Sequence, residues 1–258
     1  GGGYDWVAGV YLARSTQNNY DTPGLTIIPD AIATIQQSTI SSAHTNTAAV
    51  FGQFNWNVTD KVTVLLGARA SQAAVGDKTT FSKILNLPFP PFAVDLLATP
   101  PHPPQPGDAP HTTTLETDVS NMSGRIGIQY KPNDKLMAYA TLSRGFKAPQ
   151  INDTVFGATP MAVRPEIPTA FEVGVKGMVG RVGIDVNAFR TEVKDYQGQV
   201  CIFTPALTCG ATNVPQVISQ GVEIDLFGRP VKNLTLNGGF IYNPVTYPDS
   251  YIGSDGTD

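Results

Sequence analysis

Apolar and polar residues alternate with a period of two along several segments of this chain. From Ala48 to Trp56 the even-numbered residues are apolar or glycine, whereas Gln53, Asn55 and Asn57 are polar. A period of two is typical of a β-strand with one apolar face. The pattern predicts nine strands, at residues 4–14, 45–57, 61–73, 117–131, 135–146, 166–178, 181–196, 215–227 and 233–243. We therefore expect an all-β protein.

The connections between these predicted strands alternate between short and long. The short ones lie at 58–60, 132–135, 178–180 and 228–233, and the long ones at 15–44, 74–116, 147–164 and 197–214. Outer-membrane barrels have short turns on the periplasmic side and long loops outside, whereas a soluble sandwich has no reason to keep that asymmetry. The spacing predicts an antiparallel up-and-down meander of about nine long strands that is part of a large transmembrane β-barrel.

Two further features favour a membrane barrel, although a soluble half-buried sheet also alternates. Most predicted strands are longer than the roughly 5–6 residues usual in globular sheets. Aromatic residues also gather near strand ends, with Trp6, Trp56 and Tyr130 at the short-turn boundary and Phe240 and Tyr242 toward the other boundary. Aromatic girdles of this kind are expected at both interfaces of a membrane barrel.

Composition narrows the class of protein further. The 258 residues are 41% hydrophobic and 15% charged, with a net charge of −4. A run of about 18 apolar residues is absent from the sequence, which excludes a transmembrane helix but leaves barrel strands possible. The chain has no basic patch, which argues against nucleic acid as a partner. The barrel prediction makes outer-membrane lipid the expected partner.

Several charged residues alternate with the apolar stripe and are predicted to face away from lipid. They are Arg69, Arg125, Glu172, Lys176, Asp185, Glu223 and Asp225. Burying them in a small soluble barrel would be costly, whereas the wet lumen of a wide barrel can solvate or pair them. They are either docking partners of an internal domain or lumen charges without a particular partner.

Motifs for catalysis are absent from the sequence. It contains no phosphate-binding loop, no Gly-x-Ser-x-Gly elbow and no His-Glu-x-x-His. The spacing of His44, His102 and His111 matches no common metal motif. We therefore expect neither an enzyme nor a resident cofactor or metal.

Two loop features stand apart from the strand pattern. Residues 88–110 are rich in proline, which predicts extended polyproline segments rather than a central strand or a helix. Cys201 and Cys209 lie in one long connection, and they predict a disulfide if the compartment is oxidising. In a cytosolic protein the same two cysteines would be free thiols.

Two stretches resemble the barrel of TonB-dependent outer-membrane receptors. Residues 139–149 read YATLSRGFKAP and residues 164–177 read RPEIPTAFEVGVKG. In that family a Ser-x-Gly-Phe-Arg-Ala-Pro-like strand end is followed, after a loop, by a Lys-Pro-Glu…Glu-Leu-Gly-Leu-Lys-Gly-like strand. The residues that carry the resemblance are Ser143, Gly145, Phe146, Lys147, Ala148, Pro149, Pro165, Glu166, Glu172 and Gly174.

The resemblance implies a wide barrel of about 22 strands with a plugged lumen. Residues 1–258 would be a partial barrel, without the plug domain and the C-terminal closing strand of the family. It further implies a receptor in the bacterial outer membrane that binds a scarce small-molecule ligand outside. Uptake past the plug would be driven by the TonB complex. A ferric siderophore is the usual cargo of the family, although cobalamin, haem and some sugars are also carried.

The ligand-binding residues stay unknown at this level. Family members contact ligand with outer loops, here 74–117, 147–164 and 197–214, and residues 150–163 lack the histidine that haem receptors tend to place there. We expect no transport by this section alone, because its first and last strands would be unpaired edges in lipid. Two alternatives remain, namely a passive diffusion porin and a soluble secreted β-sandwich that binds a sugar or a protein.

Overall fold

The computed structural model describes residues 3–28, 33–88, 91–95, 111–152, 161–203 and 207–248. Its side chains are described outside 20–28, 33–39, 81–88, 91–95, 111, 200–203 and 207–209. The regular structure in the described ranges is β-strand throughout, which confirms the all-β prediction. None of these ranges contains a transmembrane helix.

Nine strands pair in succession as one antiparallel sheet, which confirms the predicted meander. The described strands are β1 (Tyr4–Ile28), β2 (Ala33–Asn57), β3 (Val62–Pro88), β4 (Pro91–Asp95), β5 (His111–Asn133), β6 (Leu136–Arg144), β7 (Gln150–Asn152), β8 (Met161–Val163), β9 (Ile167–Val179), β10 (Val182–Phe203), β11 (Leu207–Gly228), β12 (Leu236–Tyr242) and β13 (Val245–Thr246). The sheet order is β1-β2-β3-β5-β6-β9-β10-β11-β12. Of the other strands, β4 pairs with β3, β13 pairs with β11, and β7 and β8 pair with each other.

Three predicted long connections are largely strand, so those loop boundaries were wrong. Residues 15–44, 74–116 and 197–214 mostly extend the strands on either side, and β1 and β2 stay paired as far as Ile28 and Ala33. A strand of 25 residues is about 80 Å long at ~3.3 Å per residue, several times the roughly 25 Å apolar band of a barrel. The upper parts of these hairpins lie beyond the apolar band, where no lipid requires an apolar stripe, so the pattern on which the prediction depended is absent there.

The proline-rich segment is described only in part. Pro88 ends β3 and Pro91 begins β4, which pairs with the end of β3. Prolines at strand ends remove no ladder hydrogen bond, so a short edge strand is compatible with them. Residues 89–90 and 96–110, including His102, lie outside the described residues.

The apolar face of the sheet is the exposed face. Trp6, Phe54, Leu66, Ile126 and Phe171 lie in one row across the sheet and are 37% to 68% exposed. A second large sheet that could cover this row is absent from the described ranges. A β-sandwich would bury such a face against another sheet. The structure therefore excludes the sandwich and leaves acyl chains as the natural neighbours of this face.

The aromatic residues near the short turns also lie on the exposed face. Trp56 pairs with Tyr4, and Tyr130 pairs with Val62, close to the turn that joins β2 and β3. These aromatic side chains are all about half exposed or more. Phe240 and Tyr242 on β12 occupy the same face. This is the arrangement that an interfacial girdle requires.

The buried side chains gather in the long-loop half of the sheet. The β7–β8 hairpin contacts β3, β5 and β11 there. Ala73 and Val75 on β3, Val163 on β8, and Val214 and Val217 on β11 are each buried. β6 and β9 are shorter than the strands on either side, and the loop that joins them carries this hairpin to β3, β5 and β11.

Candidate functional site

All seven charged residues predicted to line a lumen lie on the face opposite the apolar row. Strand pairing puts them on five strands: Arg69 (β3), Arg125 (β5), Glu172 and Lys176 (β9), Asp185 (β10), and Glu223 and Asp225 (β11). The cationic residues Arg69 and Arg125 lie toward the β1 side, and acidic residues predominate on β9 to β11. Their place inside a closed barrel stays a prediction.

Tyr139 is the centre of the polar contacts on β6, β9 and β10. Its hydroxyl donates a hydrogen bond to Glu172, and the Lys176 ammonium lies 5.6 Å from its ring centroid. Lys176 also forms an ion pair with Asp185 on the neighbouring strand. The Tyr139 side chain thus connects β6 to the Glu172 carboxylate and the Lys176 ammonium on β9. This network holds this part of the polar face in a fixed arrangement.

Gly174 allows this arrangement because it has no side chain. It pairs directly with Tyr139, and a Cβ at position 174 would lie 2.6 Å from the tyrosine ring. An aromatic ring lying over a cross-strand glycine is a known way to fill the gap that glycine leaves in a sheet. Both residues belong to the stretches that carry the family resemblance, and their contact gives a physical reason for two of the motif positions.

The two motif stretches meet where β6 ends and β9 begins. The backbones of Lys147 and Glu166 exchange two hydrogen bonds, of 2.9 and 3.1 Å. Their side chains form an ion pair of 3.4 Å. The loop between β6 and β9 therefore leaves the sheet at Lys147 and returns to it at Glu166, the residue that pairs with Lys147.

Gln197 on β10 fixes the same point from the neighbouring strand. Its backbone N–H donates to the Glu166 carboxylate at 3.1 Å, and its side-chain amide donates to the carbonyls of Ala148 and Arg164, both at 2.9 Å. The side chain is 8% exposed. Pairing of β9 with β10 ends at Ile167 and Lys194, so side chains replace the ladder hydrogen bonds above that level.

A second set of contacts continues this junction onto β11. The Arg164 guanidinium donates from Nε and Nη2 to one oxygen of Asp195, at 3.0 and 2.6 Å. Asn213 accepts from the Arg164 N–H at 2.7 Å and donates to the carbonyls of Arg164 and Asp195. Asp195 has a φ of 52°, a left-handed conformation that asparagine and aspartate adopt more readily than most residues. We call Arg164, Asp195, Gln197 and Asn213 the loop latch.

Asn152 joins the β7–β8 hairpin to β11 in the same manner. Its side-chain oxygen accepts from the Ala211 N–H at 2.8 Å, and its amide donates to the Ala211 carbonyl. The loop between β6 and β9, which contains β7, is therefore held against β10 and β11 by the side chains of Asn152, Gln197 and Asn213. No pattern in the sequence indicates this role, because Gln197 and Asn213 fall in the predicted loop 197–214.

The strand register brings the two cysteines opposite each other. Cys201 pairs with Cys209 on adjacent antiparallel strands, although their side chains lie outside the described residues. Gln199 and Ala211 pair two residues away along the same strands, so they form the same type of pair as the cysteines. The Ala211 N–H donates to Asn152 and therefore points away from β10. Cys201 and Cys209 are then a pair without mutual hydrogen bonds, with Cα atoms about 4.5 Å apart. That separation is within the range that a disulfide spans, and the disulfide stays a prediction.

A metal-binding group of histidine, cysteine, aspartate or glutamate is not found in the described part of the chain. His44 lies against Gly76 on the neighbouring strand, where a Cβ would be 2.3 Å from the imidazole ring. The side chains of His102 and His111 lie outside the described residues. The residues that contact ligand in the outer loops stay unassigned.

Comparison with known proteins identifies the family. The family described as TonB dependent receptor-like, beta-barrel matches residues 1–258. The ferric-pyoverdine M114 receptor PbuA from Pseudomonas sp. (strain M114) is 28% identical over 138 residues, covering 53% of this chain and 16% of that protein. The vitamin B12 transporter BtuB from Vibrio vulnificus (strain YJ016) is 29% identical over 104 residues, covering 39% and 16%.

A solved structure shows the same fold. The ferric-catecholate import receptor Fiu from E. coli K12, in its closed form, has a TM-score of 0.65 at 16% identity, covering 99% of this chain and 37% of that one. The chain therefore spans a minor part of the length of these relatives. The resemblance predicted from the two motif stretches is confirmed. The chain belongs to the TonB-dependent receptor family of the Gram-negative outer membrane and forms part of its β-barrel.

Proposed function

We propose that the protein containing this barrel section takes up a scarce small-molecule ligand across the outer membrane, with TonB as the energy source and a ferric siderophore as the cargo. The observation that carries the proposal is the family match over the whole chain. The exposed apolar row supports it, because that row fits a lipid-facing wall. PbuA and Fiu are by their names a ferric-pyoverdine receptor and a ferric-catecholate import receptor, which favours iron as the element carried.

The described section supplies the wall of the path rather than a complete path. The outer edges of β1 and β12 end the described sheet. Unpaired backbone groups in lipid cost several kcal/mol each, so further strands must complete the barrel before it can conduct anything. Transport therefore belongs to the whole receptor.

The polar face provides the surface on which a plug domain would dock. Glu172, Asp185, Glu223 and Asp225 lie on the polar face of three adjacent strands, with Lys176 among them. An internal domain with basic side chains would be complementary to this acidic wall. Charged and hydrogen-bonded contacts of this kind can be released without unfolding a hydrophobic core, which suits a domain that must move.

The tall hairpins provide the outer surface on which ligand would first bind. β1 to β3 and β10 to β11 continue far above the level at which β6 ends. The β7–β8 hairpin lies between these walls and is fixed by the loop latch. We place ligand contacts on this hairpin and the surrounding walls. Covalent chemistry has no part in the proposal, and iron is the cargo rather than a cofactor.

Uptake by cells that carry the intact gene tests the proposal. We expect a deletion strain to lose accumulation of one ⁵⁵Fe-labelled siderophore from a panel, and to recover it on complementation. A strain without TonB should show no recovery. Uptake that persists without TonB would point to a passive porin, and uptake of labelled cobalamin instead of iron would overturn the choice of cargo.

A further inference from the structure

A groove crosses the lipid-facing surface on five strands, from β1 to β6. Its volume is about 720 Å³, within the ~300–1,000 Å³ range of ligand pockets. One wall is a row of large apolar side chains: Trp6, Phe54, Leu66, Ile126 and Leu142. The floor is a row of small residues that pair side by side: Ala8, Gly52, Ala68 and Gly124. Across four strand spacings of ~4.8 Å the groove is about 19 Å long.

The shape of the groove is imposed by the backbone. A Cβ at Gly124 would lie 2.7 Å from the carbonyl oxygen of Gly67. A larger residue at position 124 would displace the neighbouring strand, so the backbone keeps this part of the floor open. The groove is therefore a lasting feature of the lipid-facing surface.

Arg144 closes one end of the groove. It is the last residue of β6, it pairs with Gly124, and its side chain is exposed on the lipid-facing side. Nη1 donates to the carbonyl of Met122, which lies on β5 just beyond the end of β6. A guanidinium carries five N–H donors, so capping this carbonyl uses only part of its capacity.

The position of Arg144 selects an anion at the membrane boundary. β6 ends toward the long loops, so Arg144 lies at the outer level of the barrel, whereas Trp6 and Phe54 lie near the short turns. A cation on a lipid-facing surface is costly in hydrocarbon and favourable at the headgroup level. Guanidinium groups bind phosphate bidentately.

We propose that this groove is a binding site for a phosphate-bearing membrane lipid. The headgroup phosphate binds Arg144, and one acyl chain lies along the small-residue floor against the large apolar row. The length of the groove matches this occupant, because one leaflet of hydrocarbon is about 15 Å deep and the groove runs obliquely on tilted strands. A free phosphate would use Arg144 alone and leave the apolar floor without a role.

Native mass spectrometry of the full-length receptor, purified from outer membranes in mild detergent, tests the proposal. Ala68→Leu fills the floor, and Arg144→Gln removes the charge. Ala188→Leu and Arg190→Gln make the same exchanges on the lipid-facing side of β10, outside the groove, at residues that are also exposed. A folded barrel is first verified for each variant by its heat-modifiable migration in a gel.

We expect the wild type and both β10 variants to retain a phosphate-bearing lipid. The occupied fraction should fall about tenfold in Arg144→Gln, as expected for the loss of a charged hydrogen bond, and similarly in Ala68→Leu. Equal lipid content in all five proteins would overturn the proposal. So would displacement of the lipid by inorganic phosphate, or a dimer that Ala68→Leu dissociates, which would make a second copy the occupant. If Arg144→Gln does not assemble, the comparison of Ala68→Leu with Ala188→Leu decides.

Discussion

Removing the Gln197 side chain should open the loop between β6 and β9 without unfolding the barrel. The side-chain amide donates to two backbone carbonyls, those of Ala148 and Arg164, from a position that is 8% exposed. In Gln197→Ala the Ala148 carbonyl loses this donor at a partly buried site, whereas the Arg164 carbonyl keeps the hydrogen bond from Asn213. The barrel strands keep their ladder hydrogen bonds, so the effect stays local.

The magnitude follows from the one acceptor that loses its described donor, the carbonyl of Ala148. Leaving a buried acceptor unsatisfied costs about 1–3 kcal/mol, so the free energy of local opening falls by about 1–3 kcal/mol. At 1.36 kcal/mol per factor of ten, this corresponds to an open population raised roughly 5-fold or more. A loop that opens this often should exchange its amide hydrogens correspondingly faster.

Hydrogen–deuterium exchange of the full-length receptor measures the change. We expect faster exchange in peptides covering residues 147–152 and 161–166, and unchanged exchange in β3 and β5. Gln199→Ala is the matched control, because Gln199 is exposed on the same strand. Unchanged exchange in Gln197→Ala, or an equal increase in Gln199→Ala, would refute the role of the latch.

Three further outcomes are expected. Gly174→Val forces a Cβ branch into the ring that covers this position, and should cost assembly of the barrel, measured as loss of heat-modifiable migration after outer-membrane fractionation. Cys201 and Cys209 should resist alkylation of the unfolded receptor until a reductant is added, and two labelled thiols without reductant would contradict the register argument. Phe171→Lys on the lipid-facing side should destabilise the barrel by about 1 kcal/mol, the value near the membrane interface, because Phe171 pairs with Leu142, two residues before Arg144. Urea unfolding in vesicles measures the change, and Ala170→Lys on the polar side should leave the unfolding midpoint nearly unchanged.

The membrane-embedded part of the fold could be read from sequence because its signal is local. Where one face meets lipid and the other meets water, every second residue must be apolar, as from Ala48 to Trp56. The same strands continue above the membrane, but residues such as those at 15–22 are polar on both faces. There the strand is stabilised by pairing with the neighbouring strand, so no hydrophobic periodicity within a single segment can predict it.

The junction at the loop latch was beyond sequence reasoning for a different reason. Lys147 and Glu166 were visible as motif residues, but Gln197, which donates to Glu166, lies 31 residues beyond it. That contact depends on where the pairing of β9 and β10 stops, which is a property of the register and not of any one segment. Gly174 likewise stood out in the motif, while its reason, the Tyr139 ring across the strand, required the register as well.

The dependence of one outer loop on a distant hairpin restricts how such receptors can be recombined. Residues 147–166 are anchored by Gln197, Ala211 and Asn213, which all belong to the next tall hairpin. A chimaera that takes this loop from another family member, but keeps its own β10–β11, would separate the anchored carbonyls from their donors. Exchange of specificity between relatives should therefore succeed when loop and hairpin are transferred as one unit.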